Sequence, residues 1–113
     1  MDTATQDIQR VARTGKAGIQ PLSPLTVDGK GLVPLAIRQQ QMLYVADVTQ
    51  EASYVPNNER TRSELVIPLK TQQGVIGVLD LQQEKVDAFS ERDIRILLAY
   101  AERAAAALES MRL

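Results

Sequence analysis

Cysteine and histidine are both absent from this chain of 113 residues. Without a thiol there is no thiolate nucleophile and no thioether or thiolate attachment point. Without histidine there is no imidazole general base, and neither of the usual soft metal ligands is present. Carboxylates remain as ligands for a hard cation, but no dense acidic loop with a central glycine occurs, so neither a metal nor a cofactor is expected. Gly15-Lys16-Ala17-Gly18, with two glycines and a lysine, lacks the spacing of a phosphate loop and reads as a turn. Charge of one sign is lacking too: 13 basic against 14 acidic residues give a net charge of −1, with no long run of either sign. No broad field therefore favours nucleic acid or an anionic membrane. No apolar run approaches the length needed to cross a bilayer, and the first residues lack the basic-then-apolar order of a signal peptide. A cytoplasmic location without membrane insertion is expected.

What is present, 44% hydrophobic residues in a chain of this length, suits one domain with a single modest core. Residues 63–82 organise it. Leu65, Ile67 and Leu69 alternate with Val66 and Pro68, and after a short polar loop of Thr71, Gln72, Gln73 and Gly74 the alternation resumes. Val75, Gly77, Leu79 and Leu81 are then set against Ile76, Val78, Asp80 and Gln82. Two strands joined as a hairpin follow from this pattern, and a lone hairpin needs further strands or a helix to cover it.

Along the rest of the chain, residues 1–6 are polar and read as a frayed end. Residues 15–31 gather glycine and proline into a long connection. Residues 31–41 read as a short amphipathic helix with Leu32, Leu35 and Ala36 on its inner face and Pro34 in the first turn. Residues 43–48 have the β-branched and aromatic content of a third strand, and residues 52–62 read as a loop. From residue 90 onward Ser90 and Asp93 supply a cap, and neither Gly nor Pro interrupts the chain. Ile94, Leu97, Ala101, Ala104, Leu108 and Met111 recur at steps of three and four, widened by Leu98 and Ala105.

Arg62-Ser63-Glu64-Leu65, then Ile67-Pro68-Leu69, then residues 74–80 (GVIGVLD), Phe89 and a closing helix resemble the second half of a GAF domain. Upstream, Arg13-Thr14-Gly15 with Gly18, Gly31-Leu32-Val33 with Ala36, Asp47-Val48, and Tyr54-Val55-Pro56-Asn57 resemble the version found in bacterial signalling proteins. Pro34 departs from the family pattern, and the family's opening helix and first strands are expected to be missing, leaving residues 1–113 as one partial domain. That loss would leave residues 75–82 with an unpaired edge, expected to be covered by residues 8–13 or a second copy of the chain, or else to make the isolated chain aggregate.

The resemblance implies an α+β fold: an antiparallel β-sheet of GAF type flanked by helices, with helices on one face, a small-molecule pocket on the other and a long C-terminal signalling helix over residues 90–113. It implies a regulatory sensory module, of the histidine kinase or cyclic-dinucleotide enzyme kind, and not an enzyme. The alternative, a small GAF-type reductase, is disfavoured because the family's reductases use cysteines. Family members that bind cyclic nucleotides carry a signature that Lys85, Phe89 and Asp93 match in part, while Glu84 and Ile94 depart from it. Polar groups on strands and at strand ends, Asp47, Tyr54, Arg62, Glu64 and Asp80, are the candidate contacts to a small molecule, each with a plainer role as surface ion pair or cap. Homodimerisation is expected through the end of the last helix at Ala104, Leu108 and Met111, since a helix of this length outruns a small domain.

Overall fold

The computed structural model describes residues 7–8, 12–14, 25–26, 29–52, 54 and 60–111. The 1–6 and 15–18 segments of the sequence reading lie outside them. Among the described residues nine elements follow in order. Strands β1 (Asp7–Ile8), β2 (Ala12–Thr14) and β3 (Leu25–Thr26) lead into helix α1 (Leu32–Gln39) and β4 (Leu43–Val45). A 3-10 turn (Val48–Gln50) comes next, then β5 (Ser63–Thr71), β6 (Gly74–Gln83) and helix α2 (Glu91–Ser110). Four strands make one sheet in the order β2-β6-β5-β4, while β1 and β3 form a separate antiparallel pair.

The hairpin is the centre of this sheet, as its alternating pattern requires. β5 and β6 pair antiparallel from Ser63 opposite Gln83 to Thr71 opposite Gly74, so the turn is Gln72-Gln73 alone. Gly74 sits at φ 108, a left-handed value that a side chain resists. Thr71 accepts a bond from Gln73 N at 3.1 Å through its hydroxyl, which holds the turn. β4 pairs antiparallel with β5, and β2 lies parallel to β6, with Ala12 opposite Leu79 and Thr14 opposite Leu81. Residues 12–14 thus cover part of the β6 edge. The expected all-antiparallel sheet is antiparallel over three strands and gains a parallel fourth.

One face of the sheet carries Val66, Val75 and Val78 against Leu32, Val33, Ala36 and Ile37 of α1. The other carries Leu65, Ile67, Leu69 and Leu79 against Phe89, Ala101 and Ala105. The helices therefore sit on opposite faces, not on one face as the resemblance implied. Leu65, Leu69, Val66 and Val78 are fully buried, each contributing on the order of 1.5–3 kcal/mol.

The strict alternation read along β6 fails at one point. The register slips between Leu69 and Lys70, which face Gly77 and Val75 respectively, so Ile76 is the extra residue of a β-bulge. An extra residue inverts the facing of everything on one side of it. Val75 consequently shares the α1 face with Val78, whereas Ile76 packs with Leu79 on the α2 face.

α1 starts at Gly31, whose φ of 112 turns the chain into the helix without a side-chain cap. It ends at Gln40 in the left-handed region, where the backbone N–H reaches back to Ala36 and Ile37 carbonyls. Its buried stripe is Leu32, Val33, Ala36 and Ile37, with Leu35 only half-buried, so the inner face is rotated from the expected one. β4 is shorter than the expected 43–48, because Asp47 caps the 3-10 turn and draws Val48 out of the strand.

α2 begins in a complete capping box. Ser90 Oγ accepts from Asp93 N at 3.1 Å and Asp93 Oδ2 accepts from Ser90 N at 3.0 Å. Ala101 and Ala105 are buried on the sheet, with Ile94, Leu97, Leu98, Ala104 and Leu108 half-buried around them. Small residues at 101 and 105 let the helix lie close to β5. Among the described residues no helix is long and apolar enough to cross a membrane.

Candidate functional site

The polar side chains that matter most come from the end of the β5-β6 ladder away from its turn. Glu64 lies opposite Gln82, and Val66 lies opposite Asp80, so period-two pleating sends Glu64, Asp80 and Gln82 to the face that Val66 and Val78 share with α1. All three are buried, Asp80 completely. Gln82 joins them. Its Nε2 donates to Asp80 Oδ2 at 3.3 Å and to Glu64 Oε2 at 3.4 Å, while its Oε1 accepts from the buried Thr61 hydroxyl at 2.8 Å. Two carboxylates held on one amide make a face rich in acceptors, suited to a molecule that brings donors. Among the described residues no three acidic side chains gather as a metal ion would need.

Of the five residues marked from sequence, Glu64 and Asp80 come together here. Tyr54 is half-buried and packs against the core cluster of this same face. Asp47 and Arg62 have duties of their own. The Asp47 carboxylate accepts from Thr49 Oγ1 at 2.6 Å and Thr49 N at 3.0 Å. Those bonds, foremost the hydroxyl one, hold its carboxyl below the usual aspartate value, with Arg62 adding a smaller pull. Arg62 binds the fold through its backbone, N–H to Gln83 O and C=O from Val48 N, both at 2.8 Å, and its Nη1 donates to Thr61 O at 3.0 Å.

Sequence reasoning missed Gln82 and Thr61. The signal for Gln82 was its shared parity with Asp80, but a glutamine suits water and a buried network alike, and only pairing shows that Gln82 is buried and Gln83 exposed. It also missed the clasp that ties β4 to the start of α2. Tyr44 OH donates to Asp87 Oδ1 at 2.6 Å and accepts from Phe89 N at 3.3 Å, while Asp87 N donates to Ala46 O at 2.8 Å. The Tyr44 ring meets Phe89 edge-on, with centroids 5.9 Å apart. Burial, then the bond to Asp87, pushes the Tyr44 phenol above its usual value. Ser63 Oγ donates to Lys85 O at 2.7 Å, closing the same bend.

Comparisons with known proteins place this sheet, which has α1 on one face and the long capped α2 on the other. The family model described as GAF domain covers residues 1–109. The chain belongs to the GAF family. A Dictyostelium discoideum protein named GAF domain-containing protein A is 35% identical over 69 residues, covering 61% of this chain and 44% of that protein. Among solved structures, the GAF fold here is similar to a free methionine-R-sulfoxide reductase from Neisseria meningitidis in complex with its substrate. The TM-score is 0.81 and the identity 25%, over 99% of this chain and 65% of the other. It is also similar to the type II enzyme from Thermoplasma acidophilum, with a TM-score of 0.66 and 32% identity over 69% of this chain and 55% of the other. The GAF domain of a phosphoenolpyruvate-protein phosphotransferase from Coxiella burnetii shares the fold at a TM-score of 0.72 and 24% identity, over 80% and 55% of the two chains. This GAF chain thus spans less than half of the curated relative and under two thirds of these structures. Ala104 and Leu108, marked from sequence as dimer contacts, are half-buried against the domain's own sheet, and Met111 is exposed.

Proposed function

We propose that this GAF domain is the sensory module of a signal-transduction protein of the histidine kinase or cyclic-dinucleotide enzyme kind. In this reading it takes a small cytoplasmic ligand on the α1 face, associates through α2 and performs no chemistry of its own. The observation that carries the reading is the buried cluster of Glu64, Asp80 and Gln82 in a chain without a single cysteine. Two carboxylates and an amide can hold and orient a ligand that brings N–H or O–H donors. None of them can attack a sulfoxide sulfur as a thiolate does.

The second reading, a free methionine sulfoxide reductase, has the Neisseria and Thermoplasma similarities in its favour. The two part on one experiment. Purified protein is examined by native mass spectrometry for a retained small molecule, then titrated with free methionine-R-sulfoxide while product is followed by chromatography. The sensory reading expects a bound or titratable ligand and no turnover in the presence of a thiol reductant. Methionine formation above the uncatalysed rate would overturn it. A Glu64→Gln, Asp80→Asn variant that binds the retained molecule as tightly as the wild type would remove the acidic face from the reading.

A further inference from the structure

Thr61, Arg62 and Ser63 each grip a different part of the exit from β6. The buried Thr61 hydroxyl donates to Gln82 Oε1 at 2.8 Å, within the acidic face. The Arg62 backbone N–H donates to Gln83 O at 2.8 Å. Ser63, fully buried, shares its parity with Leu65 and so points to the α2 side of the sheet. Its hydroxyl donates there to Lys85 O at 2.7 Å and accepts from Ala88 N at 3.4 Å. Three consecutive residues thus run from the acidic face, round the end of the sheet, to the chain that leads into α2. That chain, residues 84–90, is exposed over 84–87, and Asp87 stands at φ 52, a left-handed value that side chains adopt at a cost. Bonds from outside keep it there: Tyr44 OH to Asp87 Oδ1, Asp87 N to Ala46 O, Phe89 N to Tyr44 OH and Ala88 N to Ser63 Oγ. A strained segment pinned by side-chain bonds relaxes when one of them is lost, which gives the start of α2 two positions.

We propose that Thr61, Arg62 and Ser63 form a strap coupling the acidic face to the start of α2, so that whatever displaces the Gln82 amide loosens the bend at residues 84–90. The inference rests on the reading that a small molecule occupies the α1 face, and it names the residues by which occupancy reaches the helix. Bond lengths set the order of events. Gln82 Nε2 stands 3.4 Å from Glu64 Oε2 and 3.3 Å from Asp80 Oδ2, long bonds that an incoming donor replaces readily, whereas Gln82 and Thr61 are joined at 2.8 Å. When the carboxylates turn to a ligand, Gln82 shifts with Thr61 still attached. A displaced Thr61 carries Ser63, two residues on, away from Lys85 O and Ala88 N, and the bend loses the hydroxyl that holds it from below the sheet's end.

The amides of Ala88 and Phe89 report the bend directly, since each donates to one of the hydroxyls that hold it. Their hydrogen exchange is followed by NMR in the wild type, in Thr61→Val and in Gln82→Leu. Each rate is divided by that of Leu65 and Leu81 in the central ladder, which removes any change in global stability. Thr61→Val keeps the volume and cuts the link at one end; Gln82→Leu cuts it at the other. The expected result is a relative rise of roughly tenfold at Ala88 in both variants, the size of coupling found between bonded neighbours. The double variant should show no more than either alone, because both cut the same link. Thr71→Val removes the hydroxyl that holds the turn at the far end of the hairpin and should leave the ratio at its wild-type value. An unchanged ratio in Thr61→Val, an equal rise in Thr71→Val, or effects that add in the double variant would overturn the inference. No ligand enters the measurement, so the strap stands or falls separately from ligand binding on the α1 face.

Discussion

Replacing Gln82 with Leu tests whether the acidic face is a built structure or a chance meeting of polar side chains. Gln82 donates to two buried carboxylates and accepts from a buried hydroxyl, at 3.3, 3.4 and 2.8 Å. Leucine keeps the volume roughly and removes all three bonds. Stripping a buried polar group of a partner costs about 1–3 kcal/mol, but the two carboxylate bonds are long, so about 1 kcal/mol each is reasonable, with a similar amount for Thr61. The extra apolar area that leucine buries offsets part of this. A net loss of about 2 kcal/mol remains, roughly 8 °C in Tm for a domain of this size. The control is the next residue. Gln83 is exposed, so Gln83→Leu should stay within about 0.5 kcal/mol of the wild type. The assay is urea and thermal unfolding of both variants by circular dichroism. If Gln82→Leu proved as stable as Gln83→Leu, the hydrogen-bonded cluster would contribute nothing to the fold, and its use as a preformed binding face would lose its physical basis.

Three further outcomes are expected. Ile76→Ala should cost about 1–2 kcal/mol and shift the NMR resonances of Leu97 and Leu98 more than those of Val33 and Ile37, because the bulge turns Ile76 toward α2; the reverse pattern would contradict the register. Ser90→Ala should cost about 1 kcal/mol by opening the capping box, read as a fall in urea midpoint and faster amide exchange at Asp93; an unchanged midpoint would show the cap to be idle. The Asp47 carboxyl should titrate below the usual aspartate value in a pH series of carbon-detected spectra. With the folded pKa lowered, its contribution to stability is present above the unfolded value and is lost as pH falls through the folded one. Thr49→Val should move the titration back up, and a wild-type Asp47 titrating at the ordinary value would refute the capping account.

The hairpin, the long capped helix and the family were legible in the order of the residues, because each rests on local rules. Period-two alternation makes a strand, a Ser90-to-Asp93 box starts a helix, and an uninterrupted three-four stripe keeps it going. Local rules also brought Glu64 and Asp80 into consideration, as charged residues inside apolar strands. The facing of Ile76 was not legible, since a bulge is set by how two strands close on each other and leaves no mark in a run of Val, Ile and Gly. Nor was the role of Gln82, because glutamine is equally at home in water and in a buried network, and only the pairing of β5 with β6 brings it between two acids. The placing of α1 and α2 on opposite faces, the parallel pairing of β2 and the Tyr44-Asp87 clasp join residues far apart in the chain. The sequence by itself determined the central hairpin, the two helices and the start of β4, and which chemistry is missing, while β3 lies in a stretch that reads as a connection. Tertiary structure decided which side chains share a face, because that depends on register and packing between segments, and no segment encodes these alone.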